Sequence, residues 1–303
     1  MSDRYPPDLP APQSSVASWP PPDPSHHLVG ASVTASRQPQ FAPKRPPHPT
    51  LPWQAGGGAI AVLVVSLVGS KFILDLLIDF EWPIVLYVAI LGVLGYGPSL
   101  LWWRFSTSRW GSGRPIDDVG ARPKWSDLGW GPVIWLAAIG VQVVAVAFVL
   151  RLDIPLSNNT DGIDELRADR SYVIALVISA VIAAPLVEEI VFRGLVMRSM
   201  LSKLPTTLAI VAQGVLFGVA HVDPVRGVGN VGLAIVLSGV GIVLGGFAYL
   251  LRRIGPAIVA HAIFNGVVMV LVLSGLADQI REDGPDVFDD GATGSSVVVA
   301  QSS

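Results

Sequence analysis

The chain has 303 residues, of which 51% are hydrophobic and 14% charged, with a mean hydropathy of +0.57 and a formal net charge of −3. A composition this apolar excludes an ordinary soluble domain of this length and points to a polytopic membrane protein. The charge gives no reason to expect a nucleic-acid partner. No cysteine is present, which excludes disulfides, thiol catalysis and thiolate metal sites, so any metal would be held by His, Asp and Glu.

Residues 1–55 are rich in Pro and Ser ("YPPDLPAPQSS", "WPPPDPSHH", "APKRPPHPTLP") and show no apolar periodicity. Such a segment buries too little surface to offset its chain entropy and is expected to be a disordered cytoplasmic tail. It lacks a cationic stretch leading directly into an apolar core, so a cleavable signal peptide is not expected. Apolar runs long enough for about 30 Å of hydrocarbon follow near 57–79, 83–103, 131–150, 172–197, 206–222, 230–251 and 256–276. The expected architecture is an all-α transmembrane bundle of about seven spans. Its parts are N-terminal transmembrane helices over 56–165, a core over 166–276 that carries the candidate chemistry, and an acidic, disordered tail over 277–303.

With seven spans, 14 of the 20 Lys and Arg fall on the side of the N-terminal tail and five on the other, Lys71 lying inside the first span. By the positive-inside rule the N terminus is cytoplasmic and the C terminus outside, in an integral membrane protein expected in the plasma membrane. Lys71, Asp75 and Asp79 recur every four residues and read as a self-neutralising ladder near the membrane boundary. Gln142 and Gln213 read as interhelical hydrogen-bonding residues. Gly241 and Gly245, four apart in the sixth span, read as a close helix contact.

Three further polar clusters need another explanation. In "APLVEEIVFRG", Glu188, Glu189 and Arg193 occupy a strongly apolar run, where each ionised group costs roughly 2.5–3.5 kcal/mol on insertion scales. Glu189 and Arg193 are four apart and can pair on one helix face. Glu188 is left without a partner at i+3 or i+4 and needs one from elsewhere. "FGVAH" places Phe217 and His221 on one face of the fifth span, and "HAIFN" places His261 and Asn265 on one face of the seventh. Glu188 and His221 are 33 residues apart, and their midpoint falls in the turn-like "SKLPTT". Two antiparallel helices leaving that turn bring the pair to nearly equal depth, about 24 Å of helix from it. Matching the depth of His261 requires this hairpin to protrude beyond the bilayer, which Arg198 and Lys203 would favour.

A carboxylate beside a histidine can deprotonate water and later return the proton to a leaving amine. A second histidine with an asparagine amide can donate hydrogen bonds to a tetrahedral oxyanion. Together these groups suit peptide hydrolysis without a covalent intermediate. Glu188, His221 and His261 are also chemically adequate ligands for a catalytic zinc, although the chain lacks HExxH. The reading favours no metal or other cofactor, with Zn2+ as the alternative. A proton-coupled transporter and a non-catalytic membrane immunity or scaffold protein are the competing functions.

"EEIVFR", "FGVAH" and "HAIFN" resemble the three motifs, EExxxR, FxxxH and HxxxN/B, of the CPBP family of CAAX proteases and bacteriocin-processing or self-immunity proteins. The resemblance runs from about Ser171 to Gly275. It implies an α-helical intramembrane endopeptidase similar to type II CAAX prenyl endopeptidases, acting on a membrane-associated protein or lipopeptide within the bilayer. By that resemblance Glu188 activates water with help from His221, and His261 and Asn265 form the oxyanion pocket. Glu189, Arg193 and Phe217 support the site.

Overall fold

The structure, a computed structural model, describes residues 50–156, 169–222 and 230–276. Most of both expected tails therefore lies outside the described residues, and the first helix begins at Trp53, inside the stretch expected to be tail. Every regular element among the described residues is helical. In chain order these are α1 (Trp53–Leu77, ending in a 3-10 turn), α2 (Ile84–Trp110), the short α3 (Pro115–Asp118), α4 (Ser126–Arg151), α5 (Arg170–Met200), α6 (Thr206–Val219), α7 (Asn230–Leu250) and α8 (Gly255–Leu273).

Six of them are long and apolar enough to cross a membrane, and the chain is an integral membrane protein. Of the other two, α3 is a single turn, and α6, at the expected fifth span, is shorter than its apolar run suggests. The apolar run reaches Val222, but α6 has only 14 residues, about 21 Å at 1.5 Å per residue. His221 lies in the turn after it rather than on a helix face.

α6 and α7 form an antiparallel hairpin whose closeness depends on glycine. A Cβ on Gly214 would meet Ile242 N at 2.7 Å, and one on Gly241 would meet the Gly214 carbonyl oxygen at 2.9 Å. A Cβ on Gly245 would overlap the Gln213 side-chain amide. That amide donates to the Gly241 carbonyl at 2.9 Å, so Gln213 is the interhelical link its sequence position suggests. Gln142 makes no such bond among the described residues.

α5 carries the first polar cluster. Asp169 caps its start, accepting from the backbone N–H groups of Ser171 (2.8 Å) and Tyr172 (3.1 Å), as an N-cap carboxylate does. Its far end is held by the segment before α4. A Cβ on Gly194 would meet Val119 Cβ at 2.8 Å, and Arg198 donates to the Asp118 carbonyl at 2.6 Å. Arg198 is thus buried within the protein, and does not help the hairpin protrude into water as expected. Nearby, Arg253 pairs with Asp127 at 2.6 Å and Ile254 N donates to the Gly120 carbonyl at 3.0 Å. These contacts tie the starts of α4 and α8 to the same loop.

Candidate active site

α5 is not a uniform α-helix. Two π-helical segments, Ile178–Ala183 and Ile190–Val196, flank the turn Ala184–Glu189 that carries both glutamates. The wider register is visible in the Ala184 N–H, which donates to the Ser179 carbonyl five residues back. The next residue, Pro185, has no N–H. In the same register its missing bond would have gone to the Ala180 carbonyl. Asn265 on α8 fills that vacancy, its side-chain amide donating to Ala180 O at 2.8 Å. Proline in a membrane helix is tolerated where a neighbouring helix satisfies the freed carbonyl, and here that residue belongs to the third motif.

Glu189 is fully buried and serves two partners through one oxygen. Its Oε1 accepts from Arg193 Nη1 at 2.8 Å and lies 3.1 Å from His261 Nδ1. An ionised carboxylate only accepts, so the partner assigns the proton to His261 Nδ1. Arg193, also fully buried, donates from Nη2 to the Gly241 carbonyl at 3.1 Å and stacks 4.4 Å from the centre of the Phe217 ring. That stacking adds up to about 2 kcal/mol in a dry setting. Phe217 in turn packs edge-on against His261 and Phe192, with ring centroids at 5.7 and 5.3 Å. The brace expected from Glu189 and Arg193 is therefore larger than a pair, since it includes the α7 backbone and holds His261.

His221 sits in the turn just after α6, its Nδ1 2.8 Å from the Phe217 carbonyl oxygen. That carbonyl belongs to the last turn of the helix, which has no partner further along, so the imidazole caps it and Nδ1 carries the proton. Each Nδ1 being occupied, both histidines turn Nε2 toward Glu188. Glu188 Oε2 lies 3.7 Å from His221 Nε2 and 3.8 Å from His261 Nε2. This oxygen is buried without a hydrogen-bond partner among the described residues. Three acceptors therefore converge on one small space. The gaps exceed a direct hydrogen bond and suit a bridging water.

The structure thus brings Glu188, His221 and His261 together around that space, with Glu189, Arg193 and Phe217 behind them. Asn265 joins them through α5 rather than by touching Glu188. The zinc alternative has suitable ligand types, and the Nδ1 partners resemble the outer shell of a metal site. Its ligands would be Glu188 Oε2 and the Nε2 atoms of His221 and His261, which face one another across 3.7 and 3.8 Å, so water and zinc are alternative occupants of that space.

Three participants were not read from the sequence. The Gly241 and Ala180 carbonyls are backbone groups without a side-chain signal, although Pro185 five residues after Ala180 is a trace of the second. The third is Tyr96 on α2, which packs against the core cluster that includes Val187 and Ile190 on α5.

Residues 170–267 match the family model described as "Rce1-like: Type II CAAX prenyl endopeptidase Rce1-like". This segment is similar to that family. The matched region, about a third of the chain, contains α5, α6 and α7 and reaches past Asn265 on α8, so every residue of the three motifs falls within it. Comparisons with curated proteins and with solved structures gave no match. Within the matched segment, the two π-helical stretches flank the turn that carries Glu188 and Glu189.

Proposed function

We propose that this protein is an intramembrane endopeptidase. It would hydrolyse a peptide bond of a membrane-associated protein or lipopeptide with a water molecule activated by Glu188. The observation that carries this reading is the partnerless Glu188 Oε2, facing two imidazole Nε2 atoms at 3.7 and 3.8 Å. A water in that space donates one hydrogen to Glu188 and one to His221, which orients its lone pair for attack. Glu188 takes the proton as the water oxygen bonds to the scissile carbonyl carbon, and the carbonyl oxygen becomes an oxyanion. Breakdown returns that proton to the leaving amine.

The oxyanion needs donors. Asn265 spends one amide hydrogen on Ala180 and keeps a second. With Nδ1–H committed to Glu189, His261 donates from Nε2 only when both ring nitrogens carry protons. The pocket expected from His261 and Asn265 therefore has one standing donor and one conditional donor. Every step uses the chain's own groups, and none passes through a metal. Counted over seven crossings, with the short α6 as one of them, the bias of Lys and Arg supports an N-terminal tail in the cytoplasm and a C terminus outside the plasma membrane.

The test is cleavage of a membrane-tethered peptide by purified protein in detergent, with and without exhaustive chelation. Cleavage that survives chelation and is lost in Glu188→Ala supports the reading. Loss on chelation, restored by zinc, would replace it with a metal mechanism.

A further inference from the structure

α2 lies outside the Rce1-like segment, yet one of its faces turns toward the catalytic helix. Leu94 and Pro98 line a groove against α1. At 100° per residue, Gly92, Tyr96 and Ser99 fall on the far side and Gly95 at its edge, between Pro98 and Ser99, and Tyr96 packs against the cluster that includes Val187 and Ile190. The glycines here differ from those of the α6–α7 contact. A Cβ on Gly92 or Gly95 would meet no heavy atom within 4 Å, although Gly95 is buried. Gly95 thus leaves space in the bundle instead of closing it, while Gly92 is only half-buried. Ser99 adds an independent sign. It is 1% exposed and its hydroxyl has no hydrogen-bond partner among the described residues, where a helical serine ordinarily bonds the carbonyl four residues back.

We propose that this face of α2 is the second wall of the substrate cleft, opposite Glu188. Gly95 would set the size of the substrate side chain beside the scissile bond, and the Tyr96 and Ser99 hydroxyls would bind the peptide backbone. An extended peptide entering a helical bundle carries N–H and C=O groups that must find partners, and hydroxyls both donate and accept. The open space at Gly95 gives its side chains room. The proposal rests on the peptidase reading above.

The test uses the full chain and the same tethered peptide. Gly95→Leu should raise KM about 10-fold or more with kcat and thermal unfolding little changed. A peptide with a smaller residue beside the cleaved bond should recover most of that loss. Tyr96→Phe should lower kcat/KM about 3- to 10-fold, as the loss of one hydrogen bond does. Unchanged KM in Gly95→Leu, in a protein that Glu188→Ala inactivates, overturns the wall and leaves the peptidase standing. Activity that persists in Glu188→Ala overturns the peptidase reading itself. If Gly95→Leu does not fold, Tyr96→Phe decides, and an unchanged kcat/KM overturns the proposal.

Discussion

Glu189→Gln separates the two tasks of the buried carboxylate. The side chain keeps its shape but loses its charge. Arg193, fully buried beside it, is then left with the Gly241 carbonyl and the Phe217 face. Removing one partner of a buried pair costs about 3–5 kcal/mol. Because the amide oxygen still accepts and the Phe217 contact persists, the lower end, about 3 kcal/mol, is expected. His261 simultaneously exchanges a charged acceptor at 3.1 Å for a neutral one. Loss of such an outer partner lowers activity about 10- to 100-fold in comparable sites.

The double variant Glu189→Gln/Arg193→Met tells the two apart. Deleting both charges removes the uncompensated guanidinium, so most of the lost stability should return. Activity should not, because His261 still lacks its anionic partner. Thermal unfolding in detergent and tethered-peptide cleavage measure the two quantities side by side. Recovery of activity along with stability would refute the assignment of His261 orientation to Glu189. So would a Glu189→Gln variant of full activity.

Asn265→Ala should lower kcat about 100- to 1000-fold with little change in KM, as loss of an oxyanion donor does. It should also cost stability, about 1–3 kcal/mol, because the Ala180 carbonyl loses its partner. Pro185→Ala returns an N–H to α5 and offers the Ala180 or Val181 carbonyl a partner within the helix. Asn265 is then released, and activity should fall about 10-fold or more through misplacement while thermal stability holds or rises; unchanged activity would show that Ala180 does not position Asn265. Gly245→Val drives a side chain into the Gln213 amide and should cost about 1–3 kcal/mol by overpacking. A wild-type unfolding temperature would contradict the close contact between α6 and α7.

Much of this site was legible in the sequence, for physical reasons that differ between residues. Hydropathy marked the spans because each long helix must be apolar along its length. The i,i+4 pairing of Glu189 with Arg193 followed from helix geometry alone. The equal depth of Glu188 and His221 followed from counting residues back from the "SKLPTT" turn. Other features left no such trace. A π-helical turn has the composition of an α-helical one, so the register shift at Ile178–Ala183 was not visible. The end of α6 at Val219 was hidden because the next residues are also mostly apolar. His221 was therefore read as a side chain on a helix face rather than a cap on the Phe217 carbonyl. The meeting of Glu189 with His261 spans 72 residues, and no local periodicity encodes a contact between separate helices. Arg198 was read as a cytoplasmic charge because sequence shows charge but not the Asp118 carbonyl that receives it.

The central claim is that Glu188 activates the water that cleaves a peptide bond. Single-turnover cleavage of a membrane-tethered peptide in H2(18)O, comparing wild type with Glu188→Ala at matched folding, tests it most directly. One 18O atom in the new carboxyl terminus of the wild-type product, and no product from Glu188→Ala, is the predicted result. Cleavage by Glu188→Ala at the wild-type rate would contradict it.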